Sequence, residues 1–140
     1  MTNSIGITGS TGSLGKVILK KFKRFKIKKF QGDIRNRKEV FNWISRNKLR
    51  VIIHLAAVVP IKIVNQNKKK AQEVNFTGTK NIVDASIKNN VNWFFFSSTS
   101  HVYRSSSKPI PEKSLKKPIS FYGQTKLMAE NYIIKNLKKK

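Results

Sequence analysis

The sequence has 140 residues, enough for one domain with a hydrophobic core and too few for two of ordinary size. Cysteine is absent and histidine occurs only at His54 and His101, which excludes a disulfide framework and a thiolate metal site, so no metal is expected and a reducing, cytoplasmic setting fits. Lysine and arginine total 30 against six acidic residues, a formal net charge of +24, but the lysines are scattered among Asn and Ile along the whole chain, a pattern of solvated faces more than of a nucleic-acid stripe.

Ile5–Thr8 is a short β-branched run stopped by glycine and reads as a strand. Leu14, Val17, Ile18, Phe22 and Phe25 follow at helical spacing. A second short strand is expected within residues 25–30, ending at Gly32-Asp33, and Val40, Phe41 and Ile44 mark a helix entered at Asn36 as its cap. Val51 to Leu55 is a continuous apolar run of the kind found in strands buried on both faces of a parallel sheet. Ala71, Val74, Gly78, Ile82 and Ala85 mark one long helix over about residues 67–89, and Trp93–Phe96 reads as another buried strand. A polar loop rich in Ser and Pro over 104–118 precedes a last helix over about 120–138. No run approaches the roughly 20 apolar residues of a membrane span, and the amino terminus enters a strand without the pattern of a signal peptide. Strands alternating with helices predict an α/β fold, a doubly wound parallel sheet in three αβα layers.

Between the first strand and first helix stands Thr8-Gly9-Ser10-Thr11-Gly12-Ser13-Leu14-Gly15. There a diphosphate would meet backbone N–H groups and the positive end of the helix dipole. Gly9 suits a tight turn, Gly12 a close approach of backbone to phosphate, and Gly15 close packing of helix on strand.

This TGxxGxxG pattern resembles the fingerprint of the extended short-chain dehydrogenase/reductase family, and further segments agree with it. Gly32-Asp33-Ile34 is similar to the element whose Asp contacts the adenine amino group while its apolar neighbour packs on the ring. His54-Leu55-Ala56-Ala57 resembles the segment on which the adenosine ribose lies, and Val74-Asn75-Phe76-Thr77-Gly78 the helix whose Asn orders the active site. The resemblance implies a Rossmann-like fold that binds NAD or NADP through Gly9, Ser10, Thr11, Gly12, Leu14, Gly15, Asp33, Ile34, Leu55, Ala56, Ala57, Asn75 and Lys126. One departure is that 17 residues separate Gly15 from Asp33, too few for a strand, a helix and a further strand when a helix alone averages about 11; some of the sheet edge must be missing. By distance Asp33 could hold the ribose 2′-hydroxyl, but its Gly-Asp-Ile setting favours the adenine role. Lys28 and Lys29 just upstream could accommodate a 2′-phosphate, although two surface lysines are the simpler reading.

Tyr122 and Lys126 are four apart near the start of the last helix and so share a face. An adjacent ammonium would bring the phenol's pKa down toward neutrality, making Tyr122 an acid/base group. By family resemblance Lys126 also holds the nicotinamide ribose, and Thr99, in Ser97-Ser98-Thr99-Ser100-His101-Val102-Tyr103, supplies the hydroxyl that orients substrate. Ser100-His101 stands where dehydratases of the family carry Asp-Glu, which argues against dehydration, and Arg104 replaces the common Gly after Val-Tyr. His101 is read as structural or solvent-facing, since nothing in the sequence pairs it with a carboxylate.

The resemblance implies an NAD(P)-dependent reductase or epimerase of nucleotide-activated sugars, most like the dTDP-4-dehydrorhamnose reductases. Hydride would pass to a 4-keto sugar while Tyr122 protonates the oxygen. Family members continue past the catalytic helix into a substrate-binding region, so residues 1–140 are expected to be the cofactor-binding part, incomplete at its C-terminal side. Such a part would expose a sheet edge, bind dinucleotide weakly and turn over no sugar alone. No membrane partner is expected; a homodimer through the two long helices is implied by the family. Two other readings stay open, a non-catalytic NAD(P)-binding regulatory module and a basic nucleic-acid binder.

Overall fold

The computed structural model describes residues 4–59 and 61–137. Four parallel strands, β1 (Ile5–Thr8), β2 (Ile27–Lys29), β3 (Val51–His54) and β4 (Trp93–Phe96), form one sheet in the order β2-β1-β3-β4. Ile7 pairs with Lys29 on one side and Ile53 on the other, and Ile53 with Phe95. Among the described residues only β2 lies outside β1, and the chain passes from it straight to the next helix, so the short stretch between Gly15 and Asp33 does shorten that edge.

Strand alternation divides the side chains between two layers. Helix α1 (Ser13–Lys21) lies on the face that carries Ile5, Ile7 and Ile53, with Ile18 turned toward it. On the other face α2 (Arg37–Arg46) and α5 (Thr79–Lys88) enclose the core of Val40, Ile44, Leu49, Ile52, Ile82 and Ala85, and α6 (Phe121–Leu137) packs against α5. Asn36 caps α2, its side chain accepting the Glu39 N–H at 3.2 Å. No described helix is long and apolar enough to cross a membrane.

The structure corrects two expectations, the first and third below, and refines two. First, α1 ends at Lys21 and excludes Phe25, because only five residues remain for the chain to turn back into β2. Second, the expected long helix over about 67–89 is present as one uninterrupted helical run, α4 (Lys68–Gln72), a π-helical segment (Glu73–Gly78) and α5, with the π-helical turn and the preceding α3 (Ile61–Gln66) unpredicted. Third, β4 is not a buried strand. It forms the sheet edge; Phe94 packs on the core, while Trp93 and Phe95, 53% and 38% exposed, face the α1 side where no described element covers them. Fourth, the last helix starts at Phe121, as expected to within a residue; its expected end at Lys138 lies outside the described residues.

Candidate functional site

The carboxyl ends of the parallel strands open onto a cleft of about 800 Å³. On one side runs the turn from β1 into α1. Gly9 has φ +69°, and a Cβ there would lie 2.7 Å from the Ala56 nitrogen, so β-substituted residues are excluded by both conformation and space. The Gly12 N–H donates to the Gly9 carbonyl at 3.2 Å, and Gly12 becomes the N-cap of α1, whose first turn holds no acid. An anion would find the helix dipole unopposed there.

Of the residues expected to bind cofactor, Gly9, Thr11, Gly12, Leu14 and Gly15 wall the cleft from this side. Asp33 and Ile34 wall it from the β2 side, and Leu55, Ala56 and Ala57 from the end of β3. Ser10 is buried and borders a neighbouring recess instead. Sequence reasoning missed Ser13, Val59, Val74 and Ser97 as cleft walls; Ser97 follows β4, and the rule that ligands sit beyond strand carboxyl ends would have pointed to it. The side-chain hydrogen bond from Arg35 holds the Asp33 carboxyl below its ordinary range, and Arg35 also pairs with Glu73 at 3.1 Å.

Asn75 does not wall the cleft. Its Oδ1 accepts the Val58 N–H at 2.7 Å, and its Nδ2 donates to the Val58 carbonyl and to Thr125 Oγ1, each at 3.2 Å. One amide on the π-helical segment thereby ties the loop after β3 to α6. Beneath it, His54 is wholly buried between Thr8 Oγ1 at 2.6 Å and Thr79 Oγ1 at 2.9 Å. Because the Thr79 hydroxyl donates to the Asn75 carbonyl, its oxygen must accept from Nε2–H, which leaves Nδ1 to accept from Thr8. Burial, reinforced by the Lys126 charge, lowers the His54 pKa to about 3, so the ring is neutral. The Thr8 oxygen in turn accepts the Leu55 and Ala56 N–H groups, fixing the floor of the cleft.

Helix α6 brings up the proposed catalytic side chains. Lys126 is buried, its ammonium donating to the Ser97 carbonyl at 2.6 Å and lying 4.0 Å from the centre of the Phe96 ring. Burial lowers its pKa to about 8, with nearby Glu130 opposing. Tyr122 is half-buried beside Thr99, whose hydroxyl accepts the His101 N–H at 3.2 Å and caps a 3-10 turn over Ser100–Val102. Gly123 lets that turn close in, since a Cβ there would collide with the His101 carbonyl. The expected lowering of the Tyr122 pKa by Lys126 is overturned: burial raises it, only the neighbouring Thr99 opposes, and the ammonium is engaged at Ser97. His101 is exposed, with its ring edge-on to Tyr122 at 5.9 Å between centroids, a contact the sequence did not suggest.

Residues 3–140 match a family model described as the RmlD substrate binding domain. A UDP-glucose 4-epimerase of Rhizobium meliloti (strain 1021) is 32% identical over 101 residues, covering 71% of this chain and 31% of that protein. The solved dTDP-4-dehydrorhamnose reductase of Clostridium acetobutylicum superposes with a TM-score of 0.86 at 29% identity, over 95% of this chain and 49% of that one. The reductase of Bacillus anthracis, solved in complex with NADP, shares the fold with a TM-score of 0.86 at 24% identity, over 97% and 50%. The chain thus spans about a third of the epimerase and about half of the two solved reductases.

Proposed function

The chain belongs to the RmlD substrate binding domain family, within the extended short-chain dehydrogenase/reductases, and corresponds to their N-terminal part; on that premise we propose that it is the NAD(P)-binding and proton-transfer half of a reductase or epimerase of nucleotide-activated sugars. The observation that carries the reading is the Lys126–Ser97 bond, because it seats the Tyr-x-x-x-Lys helix against a wall of the cleft.

The residues fit a dinucleotide. The turn from Gly9 to Gly15 offers N–H groups and a helix terminus to the diphosphate, Asp33 and Ile34 border the adenine end, and Leu55 to Ala57 present a flat backbone to the ribose. When bound, the nicotinamide supplies or takes up hydride at the sugar carbon. Tyr122, holding its proton at neutral pH, donates it to the ketone oxygen, so that hydride and proton together convert C=O to CH–OH. Thr99 stands beside the phenol, and Lys126, engaged at the Ser97 carbonyl, holds helix α6 against the cleft wall. Among nucleotide-sugar enzymes the 4-keto reductases are supported by the short stretch between Gly15 and Asp33 and by Ser100-His101 standing where dehydratases of the family carry Asp-Glu.

Thermal unfolding with NAD, NADP or a nucleotide sugar tests this. A rise in Tm with dinucleotide is expected, together with no sugar turnover by residues 1–140 alone; no shift with either dinucleotide at millimolar concentration sinks the reading. A homodimer through α5 and α6, whose outer faces leave Ile87, Met128 and Ile134 exposed, belongs to the same proposal, and sedimentation checks it.

A further inference from the structure

We propose that the amino-terminal edge of the sheet, at the opposite end from the cleft, and the aromatic groove that adjoins it form a docking surface for a single-stranded polynucleotide. The fold gathers at that edge cations that the sequence scatters. A recess of about 420 Å³ opens where β1 and β2 begin, lined by Arg24, Lys26 and Lys28. Ser4, on its rim, ties two more basic residues to it, its carbonyl accepting the Arg50 N–H at 2.9 Å and its hydroxyl donating to the Lys48 carbonyl. Both are exposed. Helix α1 ends at the same edge with Lys20 and Lys21 in its last turn. None of the six acids of the chain lines the recess, and four of them are paired elsewhere with Arg35, Arg37 and Lys116, so the positive field here is uncompensated.

The recess runs into an apolar groove on the α1 side, with Ile5, Phe25 and Val51 common to both. Along that groove the rings of Phe22 and Phe25 stand 5.9 Å apart, and Trp93 stacks on Phe95 at 6.1 Å between centroids. All four rings are exposed. The Arg24 guanidinium lies 5.0 Å from the centre of the Phe25 ring, so charge and aromatic surface meet where recess and groove join. Cations beside exposed rings suit a single strand, whose phosphates pair with Lys and Arg while each base lays its π face on a ring. A duplex keeps its bases stacked inside and would meet the cations alone. A bilayer is flat, whereas these rings line a concavity. The dinucleotide cleft opens at the carboxyl ends of the strands, so this surface is independent of it and of the reading built on it.

Fluorescence anisotropy of the whole chain with a labelled oligouridylate of about 15 nucleotides tests the surface. Binding is expected, with log K falling against log salt at a slope of about −2 or steeper, as three neutralised phosphates require. R24E/K26E/K28E should weaken it at least about tenfold, and Trp93→Ala at least about fivefold. K108E/K113E/K117E makes the same charge change on the exposed loop before α6 and should cost far less. Tryptophan emission should be quenched on binding but not in Trp93→Phe, because the other tryptophan, Trp43, packs against the core. No binding at low salt, an equal loss from both triple variants, full affinity in Trp93→Ala, or equally tight binding of a duplex of the same length overturns the proposal. So does displacement of the oligonucleotide by stoichiometric NADP, which would place it in the cleft. Binding to phosphatidylserine vesicles without binding to the oligonucleotide overturns it in favour of a membrane contact.

Discussion

Lys126 and His54 are buried bases within one polar network, and each makes stability depend on pH in its own window. The folded His54 pKa of about 3 lies below its ordinary 6.5. From pH 6.5 down to about 3 the unfolded chain therefore takes up a proton that the folded one refuses, and stability falls on acidification by up to about 1.4 kcal/mol per pH unit. Chemical denaturation across that range should show the slope, and His54→Asn should flatten it from a lower starting stability. Lys126 titrates at about 8 when folded against 10.5 unfolded, so its burial as a cation is unfavourable at neutral pH and eases as pH rises through that window. Lys126→Met, losing one hydrogen bond worth about 1 kcal/mol, should still stabilise the unliganded protein by about 1 kcal/mol at pH 7, and weaken dinucleotide binding. A lower midpoint in denaturant would count against this account of Lys126. Sequence showed that Tyr122 and Lys126 share a helix face. It did not show which neighbour each meets, because the Ser97 carbonyl and Phe96 ring arrive from a distant strand.

Among the elements, the π-helical segment was the least legible. Apolar residues at Ala71, Val74, Gly78, Ile82 and Ala85 fit a helix of ordinary period, and a pattern of burial does not register one turn closed with a longer hydrogen-bond step. The Asn36 cap, the turn at Gly9 and the apolar run of β3 were readable because their signals are local. The exposed edge that was expected falls at Trp93 and Phe95, whereas the burial read from the apolar run of that strand did not follow, since a strand's propensity is the same at an edge as in the middle. The widened turn also brings Gly78 against Ile34, where a Cβ would meet the Ile34 side chain at 2.6 Å. Gly78→Ala should therefore destabilise by about 1–3 kcal/mol through overpacking, despite alanine's better helix propensity of up to about 1 kcal/mol. Because Ile34 walls the cleft, dinucleotide affinity should fall too, as calorimetry on the variant would show.

For the whole molecule the two faces of the sheet are unequal. On the α1 side Phe22, Phe25, Trp93 and Phe95 surround an apolar groove of about 310 Å³. Apolar surface of that kind beside an unpaired edge strand favours association, while the net charge of +24 opposes it. Raising salt should then promote self-association in light scattering, and Phe95→Lys should suppress it. The inequality extends to order within the fold. Helix α1 buries only Gly15 among its residues, whereas α5 buries six of ten. Backbone amides of α1 should accordingly exchange with solvent far sooner than those of α5. The cleft straddles that divide, with the turn into α1 on its loose side and the end of β3 on its firm one. A molecule seated across both acts as a clasp, and the protection it confers should appear chiefly in α1.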